Sequence, residues 1–286
     1  MSTPSNISLI GLIKNYVQLN EFNEIENILF QLNIHKNELK QVYYYIVQNT
    51  EKFPNYLKLI EILLKKGIDV NLPLVFKGNL NIEENQNVTL LMLAIMKNDI
   101  ELTKIVLSYG ASTDLQDSNH INAMMYCVLN NHNDDPLLLT LLINNEGNVN
   151  SIGSFEFSNN VIEQHSLFTL SCKMGLNNIA ITLAESGANI NFKSVPSGLT
   201  GLHYAIKNNN IQLINDLLSL KENNGLSLDM ANSENTALIE YAKSVNPEAC
   251  AYITDILSGK NQITEKRKNK SMKINRNNMK NMNFYL

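Results

Sequence analysis

Five histidines and three cysteines are the residues of this 286-residue chain best suited to metal ligation or nucleophilic chemistry. Two imidazoles one helical turn apart can share a zinc ion, and closely spaced thiolates can do the same. His35, His120, His132, His165 and His203 have no such spacing, and Cys127, Cys172 and Cys250 stand singly inside apolar segments. Isolated thiols in such segments read as small core residues of a reducing compartment. The surroundings of a Ser–His–Asp nucleophile, a P-loop and a dinucleotide fingerprint are all missing, since GLTG at 198–201 lacks the rest of either glycine pattern. The chain therefore reads as a non-enzyme with no catalytic residue, no metal site and no cofactor.

Charge is divided unevenly. The net charge is −4, yet residues 260–286 carry eight Lys/Arg against one acid, Glu265, which leaves the remainder strongly acidic. Within that basic segment Lys266, Arg267, Lys268 and Lys270 form a run similar to a short nuclear import signal. Such a run would also suit nucleic acid, and it is the one part of the chain that does. The segment has the composition of a disordered tail. Nothing approaches the roughly 20 apolar residues that span a bilayer, so no membrane insertion is expected. The start, MSTPSNISLIGLIKNYVQLN, has no basic stretch ahead of its short apolar run. The cytoplasm is the expected location, with the nucleus as the alternative, or a host cell's cytoplasm if the protein is a secreted effector.

The elements that position these residues recur with a period. Gly67, Gly110, Gly147, Gly187, Gly225 and Gly259 each close an apolar segment, at separations of 43, 37, 40, 38 and 34 residues. Glycine ends helices in the left-handed conformation, so each is expected to be a cap. Regular recurrence at this length marks an array of stacked units. In residues 198–229 Thr200 can cap a helix TGLHYAIKN, Asn208–Asn210 form a turn, and Ile211, Leu213, Ile214, Leu217 and Leu218 give a second helix its apolar side. Pro54, Pro136 and Pro247 sit where a second helix would open. Asparagine, about one residue in six, is scattered through these helical segments and reads as solvated surface.

The unit at 198–229 resembles the ankyrin repeat, whose pattern runs G-x-T-P-L-H-x-A and ends L-L-x-x-G-A-x-x-N. Gly198, Thr200, Leu202, His203 and Ala205 match, with Gly201 in place of the proline. Thr89, Leu91, Ala94, Leu107, Gly110 and Ala111 carry the likeness in residues 88–114, where Met92 takes the histidine position; Ser166, Gly175, Gly187, Ala188 and Asn191 carry it in 166–191. The resemblance implies an all-α helical repeat solenoid with finger loops. It implies a structural role for His203, bonded to nearby loop backbone. The expected organisation is a divergent helical cap over 1–36, about six ankyrin-like units over 37–259, and the basic tail over 260–286.

An array's usual work is to bind another macromolecule along its extended surface. The expected function is a non-catalytic protein–protein interaction scaffold or adaptor, acting as a monomer. The alternatives are a host-directed effector of an intracellular parasite or bacterium, and a nuclear regulator directed by the tail. Two fingers are longer than the family needs, 72–87 and 151–164, and they bring Phe76, Phe155 and Phe157 as partner anchors, with folding back over neighbouring repeats as the competing role. The resemblance also implies a concave side lined by Leu93 and Lys97, Tyr126 and Asn130, Leu170 and Lys173, and Tyr204 and Asn208. Tyr126 and Tyr204 are the leading contacts, with packing between first helices as the competing role.

Overall fold

The computed structural model describes residues 8–31, 34–74, 87–157, 161–219, 226–227 and 237–257. Phe76, Gly225, Gly259 and the basic run at Lys266–Lys270 lie outside these. The described helices follow in pairs. They are α1 (Leu9–Leu19) and α2 (Phe22–Gln31), α3 (Lys36–Gln48) and α4 (Tyr56–Lys65), α5 (Leu90–Met96) and α6 (Ile100–Ser108), then α7 (Ala123–Leu129) and α8 (Leu137–Asn144). After a hairpin of β1 (Ile152–Phe157) and β2 (Val161–Ser166) come α9 (Leu167–Met174) and α10 (Asn177–Glu185), α11 (Gly201–Lys207) and α12 (Ile211–Ser219), and α13 (Leu238–Val245) and α14 (Pro247–Leu257). The architecture is an all-α repeat solenoid.

First helices stack on first helices, α5 on α7, α7 on α9, α9 on α11 and α11 on α13, while α4 meets α6 and α10 meets α12. A first helix inside the stack thus has neighbours on nearly every side, and α5 and α7 are apolar all round: Leu90 to Ile95 are six consecutive buried residues. A second helix has one face in solvent, and α12 buries only Leu213, Ile214, Leu217 and Leu218. No pair could bury its apolar surface alone, so each depends on its neighbours.

Local chemistry sets the unit boundaries. Three central first helices, α5, α7 and α9, open on a polar side chain that accepts from the amide three residues on: Thr89 from Met92 at 3.3 Å, Asn122 from Met125 at 3.0 Å, Ser166 from Thr169 at 3.2 Å. Pro247 is the first residue of α14 and Pro136 stands just before α8, while Pro54 precedes α4 by two residues. Units are also tied across the stack. The amides Oδ1 of Asn71, Asn150 and Asn191 accept from the backbone N–H of Ser112, Asn189 and Ser227 at 2.8, 2.7 and 2.9 Å. This bond gives the terminal asparagine of each ending its reason.

Gly67, Gly110 and Gly187 have the expected left-handed backbone, with Gly187 at φ +90°. Gly147 does not. Glu146 takes the left-handed conformation at φ 65°, because α8 already ends at Asn144. Gly147 is needed for space instead, since a Cβ there would lie 2.7 Å from Met124 Sδ and 2.8 Å from the carbonyl oxygen of Leu142.

Candidate functional site

Three consecutive fingers have different builds. The second, between α6 and α7, closes through the isolated bridge Gln116–Asn122 and is held from inside by Asp117. That carboxylate is buried and accepts from the amides of Asn119 and Ile121 at 2.8 and 2.9 Å and from the Tyr126 hydroxyl. The third finger is the antiparallel pair β1–β2, registered with Ile152 opposite Ser166, Ser154 opposite Gln164 and Glu156 opposite Ile162. The fourth begins at Val195, which exchanges both backbone hydrogen bonds with Gln164 at 2.8 and 3.1 Å and so extends the third finger's sheet.

Strand alternation gives that small sheet two faces. On the inner face Phe155 is buried and Phe157 half-buried, both against His165, with ring centroids 6.4 and 5.6 Å from the imidazole. The His165 ring also lies 5.5 Å from that of Tyr204. Nε2 of His165 is 3.0 Å from the Glu163 carboxylate, which pairs with Lys173. The Lys173 ammonium stands 3.4 Å from the centroid of Phe157, a cation–π contact. Burial pushes the His165 pKa down, against the opposing hydrogen bond to Glu163. Burial pushes the Glu163 carboxyl up, but the hydrogen bonds from Lys173 and His165 outweigh it and hold it below its ordinary range. The cluster therefore pins the hairpin down onto α9 as a neutral imidazole beside an ion pair.

The outer face carries Ile152, Ser154, Glu156, Ile162, Gln164 and Val195. Ile162 is 63% exposed, Val195 52% and Ile152 48%. Three open aliphatic side chains on one sheet face, contributed by two fingers, are the most prominent apolar surface in this part of the molecule.

The structure divides the expected contact residues into buried and exposed sets. Tyr126 and Tyr204 are buried, as are Leu93 and Leu170. The Tyr204 hydroxyl sits 3.0 Å from Ser194 Oγ and 3.3 Å from Ser197 Oγ, and that of Tyr126 is spent on Asp117. The expectation that these tyrosines face a partner gives way to packing, because each hydroxyl finds its partner in the adjoining finger. Phe155 and Phe157 likewise fold back rather than project. Lys97, Asn130 and Asn208 are exposed. Asn208 donates to the Lys173 carbonyl at 2.9 Å, and Lys97 reaches Thr50 Oγ1 at 2.8 Å. Composition gave no sign of Ile162 or Val195. The alternation IGSFEF marks a strand, but only the pairing register shows which residues remain outside.

Lys97 and Asn130 do come together in a groove of about 680 Å³ between the α5–α6 and α7–α8 turns, with Cys127 and Leu138 at its floor and His132 and Asp135 at its rim. The seven-residue α7–α8 turn is held by Asn131, whose amide bonds both backbone groups of Asp135. Asp134 then caps α10 of the next unit through the amides of Asn178 and Ile179 at 2.8 and 3.0 Å. Burial pushes the Cys127 thiol up to about 12, with Asp135 adding to it, so this sulfur is not a nucleophile at neutral pH.

His203 is buried, and its Nδ1 takes the Thr200 backbone N–H at 3.2 Å and lies 2.8 Å from the Thr200 hydroxyl. Burial, with the nearby charge of Lys193, pushes its pKa down to about 4. It is a neutral structural imidazole at pH 7. Among the described residues no three His, Cys, Asp or Glu side chains are placed to hold a metal ion, and no helix is long and apolar enough to cross a membrane.

Residues 91–194 match the family model for ankyrin repeats, in three copies. No curated protein matches the chain.

Proposed function

We propose that this chain, which matches the ankyrin-repeat model over residues 91–194, a kind of repeat that generally mediates protein–protein interaction, is a non-catalytic scaffold whose partner docks on the outer face of the third and fourth fingers. The observation that supports this is the exposed trio Ile152, Ile162 and Val195 on one sheet face, with Glu156 beside it. A solvated finger has no need of three open aliphatic side chains, whereas an interface core does. The cluster of Glu163, His165 and Lys173 beneath keeps that face in place before a partner arrives, which lowers the ordering cost of binding. Lys97 and Asn130 at the turn groove and Asn208 near the end of α11 would contribute polar contacts at the rim.

The test is affinity capture with the full chain, compared between wild type and an Ile162→Asp/Val195→Asp double variant. Partners retained by the wild type and lost from the variant, with circular dichroism and melting unchanged, are the expected result. An identical set from both proteins would remove the finger face from the proposal. The basic run favours a second reading, a nuclear regulator carried in by Lys266, Arg267, Lys268 and Lys270. Replacing these four by Gln and following a fluorescent fusion in cells tests it; an unchanged distribution would discard it.

A further inference from the structure

The hydrogen-bond phase of the finger sheet leaves one of its two edges open. Gln164 gives both of its backbone groups to Val195, so in β2 those groups point away from β1. In an antiparallel pair two residues directly opposite either bond to each other or both point outward. Ser154, opposite Gln164, therefore turns its N–H and C=O away from β2, and the two-residue alternation extends this to Ile152 and Glu156. The bond from the Leu167 N–H to the Ser151 carbonyl at 3.2 Å fixes the same phase one step earlier. No backbone hydrogen bond or bridge joins β1 to the second finger among the described residues. The far edge of the sheet is already extended by Val195, and the β1 edge has neither a lysine nor a proline to discourage pairing.

We infer that β1 accepts an extended peptide of the partner as an added antiparallel strand, bonded through the backbone of Ile152, Ser154 and Glu156. This rests on the finger-face reading above and states how the partner engages it. The occupant's chemistry follows from the side chains beside the open edge. The Glu156 carboxylate is exposed and pairs with no lysine or arginine among the described residues, and calls for a lysine or arginine directly opposite. Ser154 accepts a small polar residue, and Ile152, beside the aliphatic face, takes a β-branched one. Because the added strand runs antiparallel, its sequence reads basic, any, small polar, any, β-branched from N to C. Added strands of this kind gain affinity from main-chain bonds and selectivity from alternate side chains.

The probe is a phage-displayed library of random twelve-residue peptides, panned on the full chain. Enriched peptides are expected to share the alternating pattern. Ser154→Pro removes one outward N–H while suiting an edge strand, and should weaken an enriched peptide at least tenfold, whereas Ser154→Ala, which keeps that N–H and loses only the hydroxyl, should weaken it less than about threefold. Should Ser154→Pro not fold, single N-methylation along the peptide gives the answer on wild-type protein: loss at every second residue and none between. No enrichment, or an N-methyl series without alternation, overturns strand addition. A flat series combined with loss of binding in Ile162→Asp would overturn the strand while leaving the finger-face proposal standing.

Discussion

The second and third fingers occupy equivalent places in the stack and are held by opposite means. The second is short and closes around one buried carboxylate, with Asp117 collecting two backbone amides and the Tyr126 hydroxyl. The third is longer, forms a sheet, and is held from one face only, by Phe155, His165, Glu163 and Lys173. A finger tied from within has its polar groups satisfied internally and little surface to offer. A finger pinned by one face keeps the other free. The irregularity of the third finger is therefore where a partner is best sought, and the second serves as its structural control.

The sharpest way to break this comparison is to remove the second finger's tie. Asp117→Ala leaves two amides and a buried hydroxyl without their acceptor, and should cost about 3–5 kcal/mol of stability. Urea denaturation would detect it easily. If the loss were under about 1 kcal/mol, the carboxylate would not be what closes this finger.

Acid separates the fingers next. His165, under the third finger, and His203, at the base of the fourth, both have pKa values depressed by burial, that of His203 to about 4. The unfolded chain then binds more protons than the native one once the pH drops below the ordinary histidine value of about 6.5. Stability is thus fully present above that value and is lost as pH falls toward 4, with His203 contributing about 3 kcal/mol at most. Glu163, held below its ordinary range, acts in the same direction at still lower pH. Denaturation curves at pH 7 and pH 4.5 should differ far less for His165→Gln/His203→Gln than for wild type. Equal slopes would remove the buried imidazoles from the account.

What the sequence made legible follows the range of the interactions. The glycine period and the polar helix starts are local chemistry, and the stacked helix pairs were readable from them. Even Met92, which departs from the expected histidine, keeps the pattern, since its sulfur lies 3.4 Å from the Thr89 N–H where a ring nitrogen would be. Gly147 misled because a helix that stops one residue early hands the left-handed position to Glu146. The tyrosines were not readable as buried, since their burial depends on what a neighbouring finger sends over them: Asp117 for Tyr126, and Ser194 with Ser197 for Tyr204. The faces of the third finger depend on register, which no single strand contains.

Tyrosine hydroxyls sharpen the comparison at smaller scale. Tyr126→Phe withdraws a donor from a carboxylate, and Tyr204→Phe withdraws one from two serine hydroxyls that can also bond elsewhere. Hydrogen bonds to charged groups are worth more, so Tyr126→Phe should cost about 1.5–3 kcal/mol and Tyr204→Phe about 1 kcal/mol. Thermal melts of the two single variants give the order directly. The reverse order would mean that the second finger's carboxylate is already satisfied without its tyrosine.

The smallest stability effect belongs to the residue on which the binding proposal leans most. Ile162 is 63% exposed and lies opposite Glu156 on the outer face, away from Phe155 and the imidazole beneath. A side chain already in water gives up little on folding, so Ile162→Ser should change stability by no more than about 0.5 kcal/mol. Phe155→Ala, on the inner face of the same hairpin, removes a buried ring and should cost roughly 3–5 kcal/mol. The two substitutions lie seven residues apart in one finger and address its two faces separately. If Ile162→Ser proved as costly as a core truncation, the outer face would be part of the fold's own packing, and the distinction between a pinned face and a free one would fail.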